Sequence, residues 1–143
     1  MKKQSKDIIE SNKLILEFLL ERAGDRFRLE QPFKDSFICL QRKTETFNNW
    51  LTIAPSEEKS KNPTCYFETD WNQIMWVVDE IRKIQLESMT TVRVKIDNYG
   101  CTISNGVWNS TEIAKNTQTE GADVKVLTYK TIVGFIKYYN EKK

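Results

Sequence analysis

The sequence contains no histidine. Histidine is the commonest general base near neutral pH and the commonest metal ligand in proteins, so both roles lose their usual residue. Ser-His-Asp and Cys-His catalysis within one chain are therefore excluded. Any acid or base chemistry would fall to Asp, Glu, Lys, Tyr or Cys.

Cysteine and glycine are also scarce. Cys39, Cys65 and Cys101 are odd in number and widely spaced, which indicates reduced, buried thiols of a cytosolic protein and no zinc site. The five glycines are scattered singly, so P-loop nucleotide hydrolysis and Rossmann dinucleotide binding are excluded. We predict no catalytic residues, no metal site and no cofactor, and we expect that the protein is not an enzyme.

Long apolar runs are absent as well. No segment resembles a signal peptide or a membrane span, so we expect a cytoplasmic protein without a membrane partner. The net charge is +2, from 22 basic and 20 acidic residues, which argues against nucleic-acid binding by bulk charge but allows a local basic patch. A chain of 143 residues is predicted to form a single domain with its own core.

Three helices are predicted from caps and apolar periodicity. The first covers residues 6–23, is capped by Ser5 and ends at Gly24, which can take the left-handed conformation. The second begins at Thr69 or Asp70 and is apolar over most of its surface. The third covers residues 123–140.

Strands are predicted at residues 37–42 and 50–54, at 65–67, and at 91–97 and 101–104, the last two joined by a turn at 98–100. Residues 25–36, 55–63 and 105–121 are interpreted as a connector and two loops. The predicted fold class is α+β, with about three helices packed on one face of a small antiparallel sheet of four or five strands.

Two tryptophans lie on the second helix. Trp71 and Trp76 are five residues apart, which places them about 140° apart around the axis, so both cannot face the same neighbour. Two interpretations stay open: both pack within the monomer, or one is core and the other contacts a second layer or a partner chain. The apolar breadth of this helix also suggests a homodimer.

Four segments together resemble a known group. They are Ile-Leu-Glu-Phe-Leu at residues 15–19, Thr-Asp-Trp-Asn at 69–72, Val-Val-Asp-Glu-Ile at 77–81 and Phe-Ile-Lys-Tyr-Tyr-Asn at 135–140. The chain is similar to small uncharacterised proteins encoded by bacteriophages and prophages of the Bacteroidetes. In that group a Trp-Asx helix start leads into two valines, an acidic pair and isoleucine.

The resemblance has limits. It covers residues 66–104 and 123–143 better than the first helix, and residues 25–64 match nothing in the group. Members usually have a proline after the methionine of the central helix, where this chain has Trp76. The group carries no known activity, so the resemblance implies a phage or mobile-element origin and no mechanism.

Two short patterns could suggest catalysis. Ser56 and Lys59 have the Ser-x-x-Lys spacing of some acyl-transfer enzymes, but that chemistry needs the serine at a buried helix start, and a charged loop is predicted here. Asp79 and Glu80 are adjacent on a helix and diverge by about 100°, so a solvated polar face is the better interpretation.

A basic sheet face is the main candidate for binding. Arg93 and Lys95 alternate with apolar residues on one strand, and Arg42 and Lys43 lie on another. Basic residues interleaved with aromatic ones suit a nucleotide or single-stranded nucleic acid, although a solvated strand face has the same pattern. The residues predicted to contact a ligand or partner are Arg42, Trp76, Arg93, Lys95, Tyr99 and Trp108.

Three functional hypotheses follow. The first is a non-enzymatic accessory protein of phage or prophage origin, acting in the host cytoplasm as a host-defence antagonist that binds a host protein or a small signalling nucleotide. The second is a nucleic-acid-binding accessory factor that uses the basic sheet face. The third is a small enzyme that works without histidine, which would need a cleft with converging polar groups.

Overall fold

A computed structural model of the chain describes residues 4–31, 37–44, 49–59, 63–84, 91–106, 111–119 and 121–142. The chain divides into two compact units, Met1–Tyr66 and Phe67–Lys143. In each unit a helix precedes a three-stranded antiparallel sheet, and the second unit adds a closing helix. The elements are α1 Lys6–Arg22, β1 Phe27–Glu30, β2 Phe37–Lys43, β3 Trp50–Lys59, α2 Trp71–Arg82, β4 Val92–Asp97, β5 Gly100–Asn105, β6 Thr111–Thr117 and α3 Val124–Glu141.

The predicted α+β class is confirmed, and so are all three helices. The strands differ from expectation in number and grouping. Among the described residues six strands form two sheets, ordered β1-β2-β3 and β4-β5-β6, instead of one sheet of four or five strands. The single domain stays a prediction.

In the first unit, α1 begins as predicted. The Ser5 side chain accepts a hydrogen bond from the backbone N–H of Ile8, which satisfies one free donor of the first turn. The end differs: Ala23 is the C-cap, and Gly24 is not among the glycines with positive φ. The Asn12 side chain, 3% exposed, donates to the carbonyl of Cys65 at 2.7 Å and so ties the end of this unit back to α1.

The first sheet corrects two predictions. The connector predicted at 25–36 contains β1, whose apolar and charged residues alternate over only four positions. The loop predicted at 55–63 is wrong up to Lys59, because β3 continues through it. Pro55 is compatible with β3 because β3 is an edge strand of its sheet and because its pairing with β2 is irregular next to Cys39, the partner of Pro55.

The strand predicted at residues 65–67 is also wrong. Cys65 and Tyr66 have no regular structure, and Phe67–Thr69 forms a 3-10 turn that leads into the second helix. Residues 45–48, between the strands predicted at 37–42 and 50–54, lie outside the described residues.

In the second unit, α2 begins after Asp70, whose carboxylate accepts from the N–H of Asn72 at 2.7 Å. Its core stripe is Ile74, Val77, Val78 and Ile81, all fully buried. Asp79 is exposed as predicted, but Glu80 is only 2% exposed, so the solvated interpretation fails for that residue. The Lys83 ammonium lies 3.1 Å from the Glu80 carboxylate and supplies the countercharge that a buried carboxylate requires.

The second sheet is a meander. The β4–β5 hairpin forms where predicted, and Asp97 stabilises its turn by accepting from the N–H of Tyr99 at 2.8 Å. The predicted loop at 105–121 is wrong over Thr111–Thr117, which form β6. A bulge on β6 explains why its alternation is hard to detect: Ile103 pairs with Ala114 and Ser104 with Glu112, which leaves Ile113 as an extra residue.

The helix α3 packs on this sheet through a hydrogen-bonded threonine. The Thr131 hydroxyl donates to the Leu127 carbonyl at 2.7 Å and accepts from the Asn116 side chain at 3.0 Å. The Cys101 carbonyl oxygen lies 3.3 Å from the same hydroxyl. Thr131 is fully buried, so these bonds satisfy a polar group that would otherwise destabilise the core.

Gly100 lies where β5 and β6 approach each other closely, and its substitution tests that approach. Its φ is +141°, and a Cβ there would overlap the Asn116 carbonyl oxygen and lie 2.9 Å from Cα of Thr117. We expect Gly100→Ala to lower the free energy of unfolding by about 2 kcal/mol or more, since strain and overlap both add. The measurement is urea unfolding followed by tryptophan fluorescence.

Gly134→Ala is the matched control. A Cβ at Gly134 would lie 3.7 Å from the Cβ of Ala114, which is ordinary contact, and alanine favours a helix over glycine. We expect this variant to be neutral or to gain up to about 1 kcal/mol. Equal stability of the two variants would contradict the close approach of β5 and β6 at Gly100.

Candidate anion-binding groove

An open groove in the second unit has a volume of about 910 Å³. It runs from the surface of the second sheet across the edge of β4 to α2. Its lining residues are Trp71, Met75 and Arg82 of α2, residues 93–96 of β4, Thr102 and Ser104 of β5, and Glu112 and Lys115 of β6. Four cationic side chains therefore face one concave surface beside an aromatic ring.

Strand register explains why these side chains meet. Arg93 pairs with Ser104, which pairs with Glu112, and this set crosses the sheet as one row. Lys95, Thr102 and Lys115 form a second row by the same pairing. Directly paired residues of antiparallel strands present their side chains on the same face. The sheet thus places two hydroxyl groups in the middle strand between charged residues on the outer strands.

The helix α2 supplies the opposite wall. Arg82 donates from Nη2 to the Val94 carbonyl at 3.4 Å, and the N–H of Val92 donates to the Ile84 carbonyl at 3.2 Å. These two bonds hold the end of α2 along the outer edge of β4. Trp71, 39% exposed at the start of α2, leaves part of its indole open to solvent.

The cations of the groove have weak internal partners. Lys115 lies 3.7 Å from the Glu112 carboxylate, Lys95 lies 3.9 Å from Asp97, and Arg82 lies 3.9 Å from Asp79. All of these side chains are more than 40% exposed, and such exposed pairs contribute only about 0–1 kcal/mol. An incoming anion can therefore replace them at little cost.

Arg93 differs from the other three cations. It is exposed on β4, and within the described part of the chain no carboxylate lies at ion-pair distance from its guanidinium. A planar guanidinium offers five N–H donors in a fork that fits phosphate or carboxylate oxygens. Arg93 is consequently the groove residue best placed to bind an anion directly.

The structure places some of the predicted contact residues in the groove and others outside it. Arg93 and Lys95 meet in the groove, as their alternation indicated. Tyr99, 54% exposed, lies in the β4–β5 turn and does not line the groove. Trp76 is half-buried and does not line it either, whereas Trp71 does.

The predicted basic sheet face does not form as one surface of one sheet. Arg42 and Lys43 belong to β2 in the first unit, whereas Arg93 and Lys95 belong to β4 in the second. Arg42 and Lys43 are also adjacent on their strand, so their side chains point to opposite faces. Trp108, the remaining predicted contact, lies outside the described residues.

Four charged or aromatic groove residues were not predicted from the sequence: Trp71, Arg82, Glu112 and Lys115. Glu112 and Lys115 were hidden because the bulge on β6 breaks its alternation, so their segment looked like a loop. Arg82 could not be predicted as a groove residue because its position depends on where α2 ends relative to β4. The tryptophan spacing showed that the two rings diverge but could not show which one faces the groove.

The structure gives little support to the other candidate catalytic and metal-binding residues. Ser56 and Lys59 lie on β3, not at a helix start as the Ser-x-x-Lys chemistry requires. Within the described ranges no group of three Cys, Asp or Glu side chains could hold a metal ion. No helix in the same ranges is long and apolar enough to cross a membrane.

Comparison with known proteins gives no match: no family model fits the chain, and neither the curated proteins nor the solved structures contain a significantly similar one.

The three cysteines are thiols, and two of them, Cys65 and Cys101, are buried as predicted, while Cys39 is partly exposed. Burial raises the pKa of the Cys101 thiol from 9.0 to about 11, and the hydroxyl groups of Thr131 and Thr128 offset only part of this. A raised pKa favours the thiol over the reactive thiolate, so at pH 8 only about one Cys101 in a thousand is ionised.

We therefore expect Cys101 to resist alkylation in the native protein. Brief treatment with N-ethylmaleimide at pH 8, followed by peptide mass spectrometry, should label Cys39 well ahead of Cys101. Unfolding in urea should make the two cysteines react at similar rates, which serves as the control. Comparable labelling of both cysteines without urea would show that Cys101 is neither buried nor shifted as described.

Proposed function

We propose that this chain is a non-enzymatic accessory binding protein of phage or prophage origin whose groove binds a small nucleotide in the host cytoplasm. Its role would be to antagonise a host defence by sequestering such a signalling molecule. One observation supports a nucleotide as the ligand: four cationic side chains line a groove that also contains a partly exposed tryptophan. The origin rests on the resemblance to phage proteins, and the antagonist role on what small phage accessory proteins often do.

The groove contains side chains that can bind both the phosphate and the base of a nucleotide. Arginine and lysine form short, charge-assisted hydrogen bonds with phosphate, each worth about 1.5–3 kcal/mol. A base stacked on an aromatic ring contributes roughly 1–3 kcal/mol more. Trp71 and the Arg93 guanidinium line the same groove, so one ligand can use both.

The non-enzymatic assignment is part of the proposal. The absence of histidine supports it, and so does the position of Glu112, the only carboxylate that lines the groove within the described residues, which pairs with Lys115. The groove does bring polar groups together, which is what the enzyme hypothesis requires. Absence of turnover is therefore measured directly: a bound nucleotide should be recovered chemically unchanged after prolonged incubation.

Single-stranded nucleic acid is the alternative ligand, because an open groove lined by cations and an aromatic ring can also follow a phosphate backbone. The two ligands differ in length and salt dependence. A nucleic-acid contact should weaken steeply with salt and strengthen with oligonucleotide length. A nucleotide site should show a fixed stoichiometry and no dependence on length.

The first experiment is native mass spectrometry of the purified protein, combined with thermal shift against a panel of mononucleotides, cyclic nucleotides and dinucleotides. A retained ligand, or a clear rise in Tm with one class of nucleotide, supports the proposal. The same mass spectrum reports whether the 16.8 kDa chain forms the homodimer suggested by the sequence. The absence of any shift across the panel, with no retained small molecule, would overturn nucleotide binding.

Arg93→Ala tests the cationic part of the site. We expect it to weaken binding of the panel's best nucleotide by roughly 10- to 100-fold, since it removes one charge-assisted contact. Arg22→Ala is the matched control, because Arg22 is an exposed arginine on α1 that lies outside the groove. Isothermal titration gives both affinities, and equal losses in the two variants would point to a non-specific charge effect.

Trp71→Ala tests the aromatic part. Loss of one stacking surface should weaken the same nucleotide by roughly tenfold or more, whereas Trp71→Phe should retain most of the affinity. Because Trp71 is partly exposed, circular dichroism should show little change in either variant. Unchanged affinity of Trp71→Ala would exclude stacking on this ring and leave the phosphate contacts alone.

A further inference from the structure

We infer that Lys95, Thr102 and Lys115 together bind one terminal phosphate, so that the ligand of the groove is a nucleotide that ends in a phosphate monoester. The inference rests on the proposed function and narrows its ligand class, because cyclic nucleotides and the internal phosphates of nucleic acids are diesters. It follows from the row in which the strands place these three side chains.

The strand register puts a hydroxyl group between two ammonium groups. Lys95 pairs with Thr102, and Thr102 pairs with Lys115, so the three side chains lie side by side on one face of the sheet. Neighbouring strands are about 4.8 Å apart, so each lysine must cover roughly 5 Å to bring its ammonium group above Thr102. The flexible four-carbon stem of a lysine can span that distance.

The present partners of these groups do not prevent a shared contact. The ion pairs of Lys95 with Asp97 at 3.9 Å and of Lys115 with Glu112 at 3.7 Å are exposed and therefore weak. Among the described residues, no hydrogen bond uses the Thr102 hydroxyl. All three side chains can consequently turn toward one phosphate.

The two rows of the groove differ in charge. The row of Lys95, Thr102 and Lys115 carries two positive charges and no negative one, whereas the row of Arg93, Ser104 and Glu112 carries one of each. A phosphate is therefore attracted most strongly to the lysine row, and the Glu112 carboxylate disfavours a second phosphate in the neighbouring row. Arg93 lies two residues, or about 7 Å, from Lys95 along β4, so its long side chain can reach the same phosphate.

The number of donors favours a monoester over a diester. A phosphate monoester has three terminal oxygens and a charge near −2 at pH 7. A phosphodiester has only two such oxygens and one negative charge. Two ammonium groups and one hydroxyl match the three oxygens and the charge of the monoester, whereas a diester leaves one donor without an oxygen and one positive charge without a partner.

The test compares the four ribonucleoside 5′-monophosphates with their methyl esters by isothermal titration. Each pair shares its base and sugar and differs by one methyl group on the phosphate. For the base whose monophosphate binds most tightly, we expect the methyl ester to bind tenfold or more weakly, since it lacks one charged oxygen and hence one charge-assisted contact.

Variants of the row show whether its members share the phosphate. Lys95→Ala and Lys115→Ala should each weaken the same monophosphate tenfold or more, because both lysines contact its only phosphate. Thr102→Val should weaken it roughly threefold or more, and Thr102→Ser should retain the affinity. Lys137→Ala removes an exposed charge of α3 outside the groove and should leave the affinity unchanged. Circular dichroism of each variant separates loss of binding from loss of fold.

The contrary outcomes are distinct. Equal affinity for monophosphate and methyl ester, or a loss in only one of the two lysine variants, overturns the shared phosphate site but leaves nucleotide binding in place. Failure of all four monophosphates has the same meaning if another nucleotide of the panel raises Tm, and it overturns the proposed function as well if none does. Affinity that rises steadily with oligonucleotide length, with or without a 5′-phosphate, replaces the nucleotide with single-stranded nucleic acid.

Discussion

The pairing register of β4, β5 and β6 is the constraint on which the second unit depends. A shift of β4 by one residue would exchange its two faces, sending Arg93 and Lys95 toward α3 and Val92 and Val94 toward solvent. Gly100 allows β5 and β6 to approach at one end, and the bulge near Ile103 adjusts their pairing at the other. The apolar face that anchors α3 and the charged face that lines the groove are therefore specified together.

The groove also depends on how the edge of β4 is covered. An edge strand presents unpaired N–H and C=O groups, which natural proteins usually protect. Here Arg82, the last residue of α2, bonds Val94, and Ile84, two residues beyond it, bonds Val92. Protection of the edge and assembly of the groove are thus consequences of one helix position. Glu80, buried with Lys83 as its partner, adds a polar contact near the same end of α2.

Sequence reasoning succeeded where the signal was local. Caps at Ser5 and Asp70, the apolar periodicity of the last helix and the alternation of β4 predicted the helices and the hairpin. It failed where tertiary pairing decides the structure, as in the four-residue β1 and the bulged β6. The same holds for the candidate site. Arg93 and Lys95 could be predicted from the alternation of β4, but Lys115 depends on the pairing register of β6, a strand that the sequence pattern does not indicate.

Arg82 is restrained against the sheet before any ligand binds. A guanidinium has five N–H donors, and the bond to the Val94 carbonyl uses only one of them. This bond, at 3.4 Å, and the Asp79 carboxylate, 3.9 Å from Nη1, restrain the side chain against the sheet and leave other donors available to a ligand. Part of the entropy of ordering a long, flexible residue is then lost during folding and not during ligand capture. Binding strength in this groove should accordingly follow the rigidity of one edge strand as closely as the number of charges around it.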